Sequence, residues 1–158
     1  MTPEQSSLTI LLAEDDEGHA LLILEQLHSA GVSNEIRRFK GGRPLWDYLA
    51  VEGRQTARPD APRFLLLLDI VMPDMDGLEV LRRIKADRRW QHLPVIMLTT
   101  TDDPREIERC YMLGCNCYIT KPMEYERFAA ALKKLGLSVM IVPTPNLPAR
   151  DEQGEQQT

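Results

Sequence analysis

The apolar residues of the chain fall into two alternating patterns. Phe64–Leu68 is a run of five apolar residues with no polar interruption. A run this short and uniform predicts a strand covered on both faces, as in a parallel sheet. Leu8–Ala13 and Pro94–Leu98 read the same way, and Asn116–Ile119 is a further short strand. Asn34–Phe39 is more polar, which suits a sheet edge where one side meets water. Between these runs the spacing turns helical. Ala20, Leu21, Leu24 and Leu27 mark a first helix stopped by Gly31, and Leu45, Trp46, Tyr48 and Leu49 a second within Gly41–Gly53. Leu78, Leu81 and Ile84 mark a third, opened by the capping-type pair Asp76-Gly77. Pro104–Leu113, stopped by Gly114, and Glu124–Leu135, stopped by Gly136, complete the set.

Strand and helix therefore alternate five times. That order predicts an α/β fold, a doubly wound parallel sheet with helices on both faces and right-handed crossovers. Five strands point to the flavodoxin-like order 2-1-3-4-5. The strand ends carrying Glu14-Asp15, Asp69, Thr99 and Lys121 then converge on one rim. Arg54–Arg63, with two prolines and no periodicity, is expected to be a long mobile loop. A short C-terminal extension follows the last helix. Its apolar segment Leu137–Val142 precedes three prolines and a polar end, Arg150–Thr158, expected to be disordered. The expected division is a domain over 8–136 and an extension over 137–158.

Composition narrows the possibilities. The 158 residues suit one domain, and 43% apolar residues are ample for a core. A net charge of −5 argues against nonspecific nucleic-acid binding. The polar start lacks a signal peptide, and no apolar run approaches membrane-spanning length, so no membrane role and a cytoplasmic location are expected. Cys110, Cys115 and Cys117 have neither zinc nor redox spacing and read as reduced packing residues.

The rim carries the chemistry. Glu14, Asp15 and Asp69 come from two strand ends, and two unit charges about 4 Å apart repel by roughly 4 kcal/mol at an effective dielectric near 20. Such a cluster calls for a hard cation, and oxygen-only ligation describes Mg²⁺ better than zinc. Lys121 brings a compact positive charge and Thr99 a hydroxyl. Together they form a place for a transferring phosphoryl group, with Asp69 as nucleophile. Singly, each residue has a plainer reading. Thr99 suits a helix cap, Glu14 and Asp15 suit helix-start acids, Lys121 a surface lysine, and Tyr118 a half-buried sheet residue. Their joint placement at strand ends 1, 3, 4 and 5 is what those readings leave unexplained.

The motifs Ile10–Asp16, Leu67–Gly77, Pro94–Thr99 and Tyr118–Pro122 resemble the receiver domain of two-component response regulators. The resemblance spans Leu8 to Gly136. It implies that Asp69 is the phosphoacceptor and that Asp15 ligates Mg²⁺ with Glu14 assisting, the backbone carbonyl of Val71 completing the protein ligands. It implies that Thr99 and Lys121 hold the phosphoryl oxygens, and that Tyr118 is an aromatic switch moving with Thr99. Lys121-Pro122 resembles the family's cis peptide, which aims the lysine inward. Asp16 leaves open which acids face the cation, and counting from the strand end favours Glu14 and Asp15. Glu14–Ala20, Trp46–Leu49, Thr99–Pro104 and Cys110-Tyr111 resemble, more narrowly, single-domain regulators that partner phytochrome-type histidine kinases. His19, within that stretch, reads as a surface or interface residue.

The expected function is phosphorelay signalling, with a sensor histidine kinase, of phytochrome type by the narrower resemblance, as partner. An aspartate-nucleophile phosphohydrolase would need a second Asp two residues after Asp69, where Val71 stands. A dinucleotide or flavin site fails on the acids after the first strand and the lack of G-x-G-x-x-G. No DNA-binding output domain is expected after Leu137. A homodimer is expected on the face of the fourth helix, fifth strand and last helix, because Leu137–Val142 is an apolar segment needing cover.

Overall fold

A computed structural model describes residues 8–55 and 63–135. The expected apolar extension at 137–142, the polar end at 150–158, the chain start and most of the 54–63 loop lie outside the described residues. The elements are β1 (Leu8–Ala13), α1 (Glu17–Ser29), β2 (Ile36–Phe39), α2 (Gly42–Glu52), β3 (Arg63–Asp69), α3 (Gly77–Ala86), β4 (Val95–Thr99), α4 (Pro104–Met112), β5 (Cys117–Thr120) and α5 (Tyr125–Lys134). All five strands are parallel, in the order β2-β1-β3-β4-β5. The expected α/β topology is therefore the one found.

The unbroken apolar runs are explained by the two layers that cover them. Leu11, Ala13, Leu66, Leu68, Val95 and Met97 face one layer, packed by Leu45 and Leu49 of α2 and by Val80, Leu81 and Ile84 of α3. Ile10, Leu12, Leu65, Leu67, Ile96 and Leu98 face the other, packed by Ile23 and Leu27 of α1 and by Phe128 and Leu132 of α5. Each buried leucine or isoleucine stabilises the fold by about 1.5–3 kcal/mol relative to exposure. The three cysteines are buried and unpaired. Burial pushes the Cys115 thiol up to about 12 and the Cys110 thiol up to about 11, so both remain protonated packing groups.

Several boundaries shift by a residue or two for local reasons. β2 begins at Ile36, because Asn34 spends its side-chain amide on the Leu8 carbonyl at 3.1 Å. β5 begins at Cys117, because the Asn116 side-chain oxygen accepts the Val95 amide at 2.8 Å. α1 corrects the expected apolar face. Ala20, Ile23 and Leu27 are buried, whereas Leu21 is 63% exposed. Gly31 and Gly114 do stop their helices, with φ of 89° and 105° that only glycine adopts without strain.

Candidate functional site

Parallel register sets the rim. Ala13 pairs with Leu68, so Glu14 and Asp69 leave their strands at the same level. Asp69 pairs with Leu98 and Thr99 with Thr120, which puts Thr99 and then Lys121 just beyond that level. Helix caps account for one of the acids left open by the sequence. Asp16 caps α1 by accepting the His19 amide at 2.9 Å, and Asp103 caps α4 by accepting that of Arg105 at 3.0 Å. Glu14, Asp15 and Thr99 are thus free of capping duty, and the helix-cap reading of Thr99 fails.

Glu14, Asp15 and Asp69 each place a carboxylate oxygen within 4.8 Å of the others. Lys121 Nζ lies 2.5 Å from Glu14 Oε1 and 3.2 Å from Asp69 Oδ1, and the three side chains are almost wholly buried. The bond between Lys121 and Pro122 is cis. Two of these acids flank one lysine and a third stands beside them, so carboxylates outnumber the one ammonium. The surplus of negative charge suits a cation. Every acidic donor is oxygen, the ligand set of Mg²⁺ or Mn²⁺. Burial pushes the Asp69 carboxyl up to about 6, the Glu14 charge adds to the rise, and Lys121 opposes it.

A cavity of about 240 Å³ opens over these groups, lined by Glu14, Asp15, Asp16, His19, Asp69, Val71, Thr100 and Lys121. Val71 is 70% exposed at its edge. Thr99 is buried and is not part of the lining; its neighbour Thr100 is. Thr99 Oγ1 accepts the Thr101 amide at 3.3 Å. Tyr118 donates its hydroxyl to the Thr101 carbonyl at 2.6 Å and faces a different cavity. Burial pushes the Tyr118 phenol up to about 12, and the neighbouring Thr99 side chain opposes that rise.

Three further residues shape the site. His19 Nδ1 lies 3.1 Å from Lys121 Nζ and 3.9 Å from Glu14 Oε2, so this half-exposed surface residue also forms part of the cavity wall. Arg38 donates twice to the Glu14 carbonyl, at 3.0 and 2.7 Å, and pairs with Glu17 at 2.9 Å, anchoring the end of β1. Asp74 ties the loop after β3 to α2. The sequence held a partial signal for His19 alone, its place in the first turn after the acidic strand end.

Residues 10–133 match the family described as the response regulator receiver domain. The chain belongs to that family. Receivers are signal transducers of two-component systems, and membership implies a histidine kinase as partner. Response regulator Rcp1 of Synechocystis sp. is 30% identical over 142 residues, which span 89% of this receiver and 92% of Rcp1. The bacteriophytochrome response regulator AtBRR is 35% identical with a TM-score of 0.72, over 86% of this receiver and 97% of AtBRR. A phosphorylated cyanobacterial phytochrome response regulator, RcpA, is 31% identical with a TM-score of 0.63, over 83% and 96% of the two chains. A response regulator Rcp1 solved in its Mn²⁺-bound form is 29% identical with a TM-score of 0.64, over 86% and 99%.

Proposed function

We propose that this receiver takes a phosphoryl group from the phosphohistidine of a sensor kinase onto Asp69. The observation that carries the reading is the Lys121 ammonium lodged between Glu14 and Asp69, with Asp15 completing an acidic cavity that one lysine cannot neutralise. An Asp69 oxygen attacks phosphorus, the phosphorus–nitrogen bond breaks, an acyl phosphate forms, and the leaving imidazole keeps the nitrogen electron pair and takes up a proton. Lys121 moves its contact to the incoming phosphoryl oxygens, and the Thr99 hydroxyl holds another from the end of β4. Asp15, Asp69 and the Val71 carbonyl would hold Mg²⁺, with Glu14 supporting. A bound Mg²⁺ supplies charge neutralisation at the phosphoryl oxygens.

The acceptor is the protein's own side chain, so the product is an altered state of the protein and no separate substrate turns over. Withdrawal of the Thr99 hydroxyl toward the phosphoryl group would release the Thr101 amide, and with it disturb the Thr101 carbonyl that accepts the Tyr118 hydroxyl, which makes Tyr118 the candidate switch. The likeness to AtBRR and RcpA supports a phytochrome-type photoreceptor kinase as the partner. The free thiols fit action in the cytoplasm, and among the described residues no helix is long and apolar enough to cross a membrane. A domain over 8–136 with an extension over 137–158 fits the family match.

The test is labelling by acetyl phosphate or by a purified partner kinase. Labelling is expected to require Mg²⁺, to be base-labile, and to vanish in Asp69→Asn. Undiminished, acid-stable label on the Asn variant would overturn the assignment.

A further inference from the structure

The loop between β3 and α3 carries Val71, whose backbone carbonyl is the one proposed cation ligand that is not a side chain. That carbonyl is only as well placed as the loop that bears it. At its base the loop is closed by the Gly77 amide donating to the Ile70 carbonyl at 2.7 Å. A Cβ on Gly77 would sit 2.2 Å from the Asp69 carbonyl oxygen, so only glycine lets the helix start this close to the strand end. Met72 and Met75 are buried in the core.

The tip has a different fastening. Asp74 is an exposed residue, yet both its oxygens are engaged. Oδ1 accepts the Gly42 amide at 3.1 Å and the Met75 amide at 2.7 Å, and Oδ2 accepts the Arg43 amide at 3.0 Å. Gly42 and Arg43 are the first residues of α2, whose amides lack partners within the helix. The N-cap residue of that helix, Gly41, offers no side chain, and its first turn holds no acid. Asp74 therefore caps α2 from outside, across more than thirty residues of chain. Its negative charge also meets the positive end of the helix dipole. The Gly41-Gly42 pair makes room for this contact. A Cβ on Gly41 would lie 2.6 Å from Asp74 Oδ2, and one on Gly42 would lie 2.2 Å from the Met75 carbonyl oxygen. Gly41 has an extended backbone that any residue adopts, so close approach is what glycine serves there.

We propose that Asp74 is a positioning residue of the phosphotransfer site, which by capping α2 holds the loop so that the Val71 carbonyl stays at the cation position beside Asp15 and Asp69. The proposal rests on reading the acidic cavity as a divalent-cation site.

The experiment is Mn²⁺ binding, followed by electron paramagnetic resonance of the free ion with no phosphodonor present. Thermal unfolding in EDTA is run alongside on the parent, Asp74→Ala, Asp74→Asn and Gly41→Ala. Asp74→Ala is expected to weaken Mn²⁺ binding about ten-fold, the lower end of the range for residues that support metal ligands. Asp74→Asn keeps one carbonyl acceptor and should fall between. Gly41→Ala pushes on the same contact from the helix side and should weaken binding with Asp74 intact. The double variant Gly41→Ala/Asp74→Ala should be no worse than Asp74→Ala, since both act through one contact.

A purely structural cap would lower the melting temperature and leave Mn²⁺ affinity at the parental value; that result overturns the proposal. Should Asp74→Ala fail to fold, parental affinity in Asp74→Asn and Gly41→Ala together overturns it instead. A parent that binds no Mn²⁺ overturns it as well. A parent that binds Mn²⁺ in an Asp74-dependent way yet takes no label on Asp69 refutes the proposed function and leaves this inference standing.

Discussion

Asp69→Asn should stabilise the metal-free protein at neutral pH, and the gain should disappear in acid. The Asp69 carboxyl is pushed up to about 6 from the ordinary aspartate range, by burial first and then by the Glu14 charge. Folding therefore favours the protonated form. That preference helps the folded state below the unfolded pKa and is lost as pH rises through the folded pKa. Between about pH 4 and about pH 7 the parent loses what the neutral amide never had. A rise of that size corresponds to roughly 3 kcal/mol. Some of this is returned, because Lys121 loses one of its two carboxylate partners while Glu14 still holds it at 2.5 Å. The expected net gain is about 1–3 kcal/mol, or about 3–10 °C in Tm for a chain of this size. The assay is thermal unfolding by circular dichroism in EDTA, across a pH series from about 4.5 to about 7.5, on parent and variant. Added Mg²⁺ should raise the Tm of the parent more than that of the variant, because binding stabilises by mass action and the variant has lost a ligand charge. Equal stabilities at about pH 7.5, or a gap that does not change with pH, would refute the electrostatic account.

Two further outcomes are expected. Val71→Asn should shorten the lifetime of the phosphorylated state by about ten-fold, which needs only about 1.4 kcal/mol of barrier, because an amide at the cavity edge can orient an attacking water where valine cannot. The loss of label is followed after removal of the phosphodonor, and an unchanged lifetime in a variant that still binds Mg²⁺ would show that water positioning at this residue is not limiting. The full chain should form a homodimer, proposed on the α4–β5–α5 face, where Tyr111 and Met112 of α4 are exposed apolar surface. Sedimentation of the full chain and of a chain ending at residue 136, each with and without beryllofluoride, tests it, and a monomer at tens of micromolar under all conditions would rule it out.

The sheet was legible because burial on both faces leaves a plain mark. Leu65 to Leu68 carry no polar residue, and the structure assigns alternate members to the two cores. The gathering of Glu14, Asp69, Thr99 and Lys121 at one rim was legible for a related reason. In a parallel sheet, strand order and strand ends together fix which residues become neighbours, and both could be counted. α1 was less legible. Leu21, Leu22, Ile23 and Leu24 are consecutive apolar residues, so a period of 3.6 does not choose among them. Packing chose Ile23 with Ala20 and Leu27, one helical stripe, and left Leu21 a turn of about 100° away from it. What stayed hidden were contacts of side chains reaching between segments. Lys121 meets His19 across 102 residues, Arg38 meets the Glu14 carbonyl across 24, and Asp74 meets the Gly42 amide across 32. Asp74 also has a local contact, with the Met75 amide, but that contact does not announce the distant one, and two of the three contacts end on a backbone group, which every residue carries. Periodicity finds surfaces that are buried, and strand ends locate a rim. The groups that hold the rim's ligands in place are recognised only when the backbone they bind has been folded beside them.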